Sequence, residues 1–205
     1  CGIYGLDPAR PIIALLPGSR HKEIHYHLPV MLDAAHRLRN FQMKFTDCGL
    51  RTDDNDANPR SSVCNPQFVI PLASTIRRED VAAAIANAQS AAHNKEETNP
   101  LSVSLVEGNT YNALGHSEFA VVASGTATVE TALAGTPMVI IYRGSELNWR
   151  LIRPLIHLDT FGMVNLIAGR RVVPELMQGD ATGEKIAAEA VAVLSDSARL
   201  ASMKQ

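Results

Sequence analysis

Five short apolar runs carry almost no polar interruption: Ile12 to Leu16, Phe68 to Pro71, Leu101 to Val106, Phe119 to Ala123 and Met138 to Tyr142. Strands that are apolar on successive residues must be covered on both faces, the condition of a parallel sheet sandwiched between helices. The stretches between the runs have helical period. A helix over about 22–39 puts Leu28, Met31, Leu32, Ala35 and Leu38 on one face, and one over 77–92 does the same with Val81, Ile85, Ala88 and Ala92. Shorter helices are expected over 110–116 and 126–134, and a last one over 182–194 repeats Ile186, Ala190 and Val193. The order β-α-β-α-β-α-β-α-β predicts an α/β fold with a Rossmann-like, doubly wound, mostly parallel sheet, formed as one domain over 1–205. Such sheets bind ligands beyond the carboxyl ends of their strands, so function is sought in the loops that follow each run. The turn-rich segment 47–66, DCGLRTDDNDANPRSSVCNP, covers a place where a further strand is expected.

Composition removes several classes. With 46% apolar residues in 205, a sizeable core is available. The 19 basic and 21 acidic residues balance, so no nucleic-acid partner is expected. No apolar run approaches the roughly 20 residues of a membrane span. No secretory leader is expected, and Cys1, Cys48 and Cys64 form an odd set without CxxC spacing, so a reducing cytoplasm is the expected setting. The opening CGIYGLDPARP has no initiator methionine and runs almost at once into a strand, as expected of a piece of a longer chain.

Two loops carry chemistry. In LLPGSRHKEI, 15–24, Gly18 lets the backbone approach a ligand, Ser19 can cap the following helix, and Arg20 adds a cation beside free helix N–H groups. This outlines a phosphate site, with a plain capped turn as the other reading. It is neither GxGxxG nor a Walker loop. The stretch ASGTATVETALAGTP, 123–137, repeats the arrangement, with Ser124, Gly125 and Thr126 at a second strand-to-helix turn. Two such turns facing the same way suit a diphosphate, with N–H and hydroxyl donors on one phosphoryl group and Arg20 on the other. Glu130 lies about one turn into the helix, where a carboxylate can accept from the vicinal hydroxyls of a ribose or simply complement the helix dipole. Phosphate and ribose together make a nucleotide.

LLPGSRHKEI, ASGTATVETALAGTPMVIIYR and NLIAGRRVVPELMQ together resemble the C-terminal half of lipid-A-disaccharide synthase, over about 10–195. That family is an inverting glycosyltransferase of two-domain GT-B architecture. The resemblance implies that this chain is a UDP-sugar-binding domain, with Gly18, Ser19 and Arg20 in one diphosphate-facing loop, Ser124, Gly125 and Thr126 in the other, and Glu130 on the ribose. It also implies that Asn165 and Gln178 line the cleft towards the donor sugar. The reaction implied joins UDP-2,3-diacylglucosamine to 2,3-diacylglucosamine 1-phosphate and releases UDP, without cofactor or metal. The catalytic base is then expected in the family's N-terminal half, absent here, so the isolated chain is expected to be inactive. Glu107 is the carboxylate of this half best placed by sequence to line the cleft, or else a strand-end residue. The family further implies a cytoplasmic enzyme, peripheral on the inner membrane of a Gram-negative-type bacterium, with a lipid acceptor and a homodimer as partners. Other GT-B-type enzymes that use UDP-N-acetylglucosamine, the peptidoglycan transferase and the 2-epimerase, share the SG-to-Glu helix, but PGSR with NLIAG and PELMQ argues against them. A non-catalytic nucleotide-binding domain is the alternative from another class.

Three weaker signals remain. Asp54 to Asp56, DND, matches an acid-x-acid metal pattern but has no strand before it. His21, His25 and His27 cluster without HExxH or a third ligand, and are expected to be surface and helix-start histidines. YRGSELNWRLIRPLIH, 142–157, mixes arginines with Trp149 and aliphatics, and is expected to be a packed helix with its arginines reaching outward, or else a partner or membrane-facing surface.

Overall fold

The computed structural model describes residues 4–8, 10–39, 65–92, 101–145, 149 and 160–204. Six strands form one parallel sheet: β1 (Ile12–Leu16), β2 (Gln67–Leu72), β3 (Val103–Glu107), β4 (Phe119–Ala123), β5 (Met138–Tyr142) and β6 (Glu175–Met177). Its spatial order, β3-β2-β1-β4-β5-β6, is the Rossmann order, in which the chain reverses direction across the sheet between β1 and β4. The helices are α1 (His21–Arg39), α2 (Arg78–Ala92), α3 (Thr110–Gly115), α4 (Ala127–Leu133), α5 (Met163–Ala168), α6 (Gly183–Ser195) and α7 (Ser197–Met203).

Alternation along the strands divides the core. Ile13, Leu15, Phe68, Ile70, Phe119, Val121, Val139 and Ile141 face a layer containing Ile24, Leu28, Met31 and Leu38 of α1 and Ile186, Ala190 and Val193 of α6. The intervening residues Ile12, Ala14, Leu16, Val69, Ala120, Val122, Met138 and Ile140 face the other side with Leu114 of α3. Both faces are covered, as unbroken apolar strands require. Pro71, which has no N–H to give, is tolerated in β2 because the pairing with β1 ends at Val69.

The five strands and five helices expected from periodicity are present with boundaries shifted by at most two residues. Among the described residues four elements were not anticipated, one of them a 3-10 turn over Gln178–Asp180. β6 is only three residues long at the sheet edge, α5 is six residues bounded by Gly162 and Gly169, and α7 starts at an Asp196 cap whose carboxylate accepts from the N–H of Ala198 and Arg199. The segment 40–64, with Asp54 to Asp56, Cys48 and Cys64, lies outside the described residues, as do Cys1 and most of 142–157. Among the described residues no helix is long and apolar enough to cross a membrane.

The α1–α6 seam closes the layer over β1 and β4, and Ile186 in it is fully buried. Ile186→Ala is expected to cost about 2–5 kcal/mol, read as a lower urea midpoint with an unchanged denaturant slope.

Candidate functional site

The turn after β1 is held at three points. Gly18 has φ +120°, and a Cβ there would come within 2.6 Å of the Glu23 Cβ, so only glycine fits. Glu23, in the first turn of α1, accepts from the Ser19 N–H at 2.8 Å and from the Arg20 guanidinium at 3.2 Å. This resembles a capping box displaced by one residue. Thr75, beyond β2, donates its hydroxyl to the Ser19 carbonyl at 2.7 Å. His27 reaches the Pro17 carbonyl from below, with Nδ1 at 2.8 Å. The Arg20 side chain itself stays 81% exposed.

The turn after β4 lies beside it, because Leu16 pairs with Val122 at the ends of adjacent strands. The Ser124 N–H is spent on the Ile141 carbonyl at 2.8 Å, so Ser124 offers a hydroxyl rather than the N–H expected of it. That hydroxyl leans on the Phe161 carbonyl at 3.4 Å. Gly125 and Thr126 donate their N–H groups to no acceptor among the described residues, and the Thr126 side chain makes no cap hydrogen bond. Thr128 is buried and returns its hydroxyl to the Gly125 carbonyl at 2.7 Å, which sets the turn. Glu130 is exposed one turn into α4 and pairs with no cation among the described residues.

Asn165 and Gln178 are placed differently from an open cleft wall. Asn165 is fully buried; its amide donates to the Val173 carbonyl and to Glu175, and its carbonyl accepts from the N–H of Val172 and Val173. All four of its hydrogen-bonding positions are taken within the fold. Glu175 also accepts from the N–H of Phe161 and Gly162, at 2.9 and 3.0 Å, so the pair fixes the backbone leading into α5. Gln178 is 5% exposed, adopts φ +48°, and accepts from the Gly144 N–H at 3.0 Å. Left-handed backbone at a residue with a side chain costs energy, and here it aims an amide at the loop after β5.

Glu107 ends β3, two strands from β1, and lies 3.6 Å from Arg78. His21 and His25 are exposed as expected, with His21 3.9 Å from Asp80. His27 is not a surface residue: it is 2% exposed, and its Nε2 accepts from the Arg143 N–H at 3.0 Å. Burial pushes its pKa below the ordinary 6.5, against the Pro17 carbonyl and Glu23, which favour the charged ring. Its spacing from Ile24 and Met31, three and four residues, placed it on the buried stripe of α1 and was the signal available for it. Glu23, in the first turn, carried a capping signal as well. Thr75 and Glu175 had none.

A family model described as Lipid-A-disaccharide synthetase matches residues 67–205. The lipid-A-disaccharide synthase of Syntrophus aciditrophicus (strain SB) is 40% identical over 192 residues, covering 94% of this chain and 42% of that protein. The chain thus spans about two fifths of the length of the curated relative it matches. Among solved structures, a putative UDP-N-acetylglucosamine 2-epimerase from Listeria monocytogenes superposes with a TM-score of 0.55 over 96% of this chain and 39% of that one, at 14% identity. The E. coli ADP-heptose lps heptosyltransferase II does so with a TM-score of 0.51 over 95% and 50%, at 16% identity. These two likenesses establish the fold, a Rossmann-like half of a GT-B architecture.

Replacing Asn165 by Leu keeps volume but orphans the N–H groups of Val172 and Val173. Asn165→Leu is expected to lose about 2–4 kcal/mol in chemical denaturation, as a structural residue would.

Proposed function

This chain belongs to the lipid-A-disaccharide synthase family, and from that premise we propose that it is the UDP-sugar-binding half of an inverting glycosyltransferase. The observation that carries the reading is the pairing of two turns at the β1–β4 reversal. Among the described residues, one turn presents N–H groups without acceptors at Gly125 and Thr126, the other an exposed Arg20, and Glu130 behind them pairs with no cation.

In this reading the diphosphate lies across the two turns. The Gly125 and Thr126 N–H groups and the Ser124 and Thr126 hydroxyls take one phosphoryl group, and Arg20 swings from Glu23 to the other. Gly18 and Ser19 form the backbone of that second contact. Glu130 accepts from the ribose hydroxyls. Asn165 and Gln178 act from behind, holding the backbone around 161–162 and 144 that would border the sugar. As the glycosidic bond to the diphosphate breaks, charge grows on the leaving oxygen, and donors already aimed there lower the barrier. The donor is UDP-2,3-diacylglucosamine and the acceptor 2,3-diacylglucosamine 1-phosphate, the products being the lipid A disaccharide and UDP. The base that takes the acceptor's proton belongs to the part of the relatives' length that this chain does not span. Peripheral membrane association and a homodimer belong to the same reading of the whole enzyme.

Calorimetric titration of the 205-residue chain with UDP tests it. UDP is expected to bind more tightly than ADP, and Arg20→Ala and Glu130→Ala each to weaken it about tenfold, the range of one lost charge-assisted hydrogen bond. Removing the ribose 2′-hydroxyl should weaken binding to the wild type but not to Glu130→Ala. Absence of binding at millimolar UDP, or binding that neither substitution changes, overturns the reading.

A further inference from the structure

The turn after β1 and the turn after β5 are two strands apart, with β4 between them. One buried imidazole joins them. His27 Nδ1 lies 2.8 Å from the Pro17 carbonyl, and Nε2 lies 3.0 Å from the Arg143 N–H. A carbonyl only accepts and a backbone N–H only donates, so the two contacts define a single state of the ring: neutral, with its proton on Nδ1. A second proton on Nε2 keeps the bond to Pro17 but sets one N–H against another at Arg143.

We propose that His27 is a positioning residue whose neutral ring clamps the turn after β1 to the turn after β5, and that nucleotide-diphosphate affinity follows this neutral form. The inference rests on the reading of residues 18–20 as diphosphate-facing. Pro17 is the residue immediately before Gly18, so the clamp sets where the Gly18–Arg20 backbone stands relative to the end of β4. Gln178 holds Gly144 from the other side, so the two residues Arg143 and Gly144 are fixed by side chains from α1 and from the turn after β6.

The groups facing the ring are few among the described residues. Glu23, on α1 itself, favours the charged form, and Arg143, after β5, opposes it. The Tyr142 ring lies 6.2 Å away, centroid to centroid. β1 and β4 contribute no titratable side chain, and α6 packs on α1 through apolar residues with Glu184 and Lys185 exposed. From α2, Asp80 lies beside His21 at the start of α1. The dominant influence is burial, which lowers the folded pKa below 6.5. A depressed pKa means the unfolded or unclamped chain binds the proton more readily. The clamp's contribution is therefore complete above 6.5 and is lost as pH falls through the lower folded value.

The test titrates the 205-residue chain with UDP-N-acetylglucosamine, whose diphosphate diester does not itself titrate in this range. Between about pH 7.5 and about pH 5, wild-type affinity is expected to fall about tenfold. His27→Leu, checked for a cooperative melt, is expected to be about tenfold weaker at the higher pH and to show no pH slope there. His27→Gln, whose amide oxygen can take the Nε2 position, is expected to recover part of the affinity without the slope. A folded His27→Leu or His27→Gln with wild-type affinity and slope overturns the proposal, as does a wild type without slope. If the wild type binds no uridine nucleotide at about 10 mM, the functional reading fails and nitrogen NMR of the ring decides the clamp separately. A ring protonated on Nδ1 that titrates together with the Arg143 amide supports the clamp, whereas the other tautomer overturns it.

Discussion

The parallel pairing of β1 with β4 is the constraint on which the rest depends. Once Leu16 stands beside Val122, the chain must leave β1 towards one face of the sheet and β4 towards the other, because right-handed crossovers carry it in opposite directions from that point. The turns that begin these departures are then forced to lie side by side at the carboxyl edge of the sheet. A crevice at the carboxyl edge is a geometric result of strand order before any polar residue is chosen. The apolar alternation of the strands supplies the energy for that order, and residues 17–20 and 124–126 inherit the position.

What turns a crevice into a shaped site is a set of side chains that do not face it. Thr75, Glu23 and His27 each hold one backbone group of the first turn; Thr128 sets the second; Gln178, Glu175 and Asn165 hold the segments that follow β5 and precede α5. Nearly all are side-chain to main-chain bonds. That is the economical way to fix a loop, since the loop's own N–H and C=O groups need partners in any case and leaving them unpaired under partial burial is costly. The loops thereby gain the rigidity of the scaffold without adding to its apolar core, and they come from strands as far apart as β2 and β6.

Much of this was legible in the chain. Unbroken strands and helical stripes led to the sheet and the helices, and the family match agrees with the resemblance carried by PGSR, SGTATVE and NLIAG. Residues whose role depends on a distant main-chain partner were not legible. Asn165 reads in sequence as an amide free for a sugar, yet its four partners come from Val172, Val173 and Glu175, in a loop and a three-residue strand too short to show any period. The partner of Gln178 was hidden for the same reason, Gly144 being 34 positions away. His27 was different: helical spacing put it on the buried stripe, but a histidine beside two exposed ones in sequence looks like one of them. The Ser124 N–H was lost to the β4–β5 ladder, which runs one bond further than the apolar run does.

The carboxylate of Glu23 completes the argument about anion binding. A helix N-terminal turn that carries a cation beside free N–H groups gathers positive charge, an arrangement that repels itself. Here Glu23 accepts from Ser19 and Arg20, so the turn carries its own counter-anion. Because the Arg20 side chain is mostly exposed, its pair with Glu23 is screened and worth only about 0–1 kcal/mol. In the proposed reading a diphosphate, with more charge and more acceptor oxygens, would draw the guanidinium away at little cost, while the Ser19 N–H bond to Glu23 keeps the turn in shape. The same residue thus holds the turn in shape and leaves the exposed Arg20 able to change partners, which a deeper ion pair would not allow.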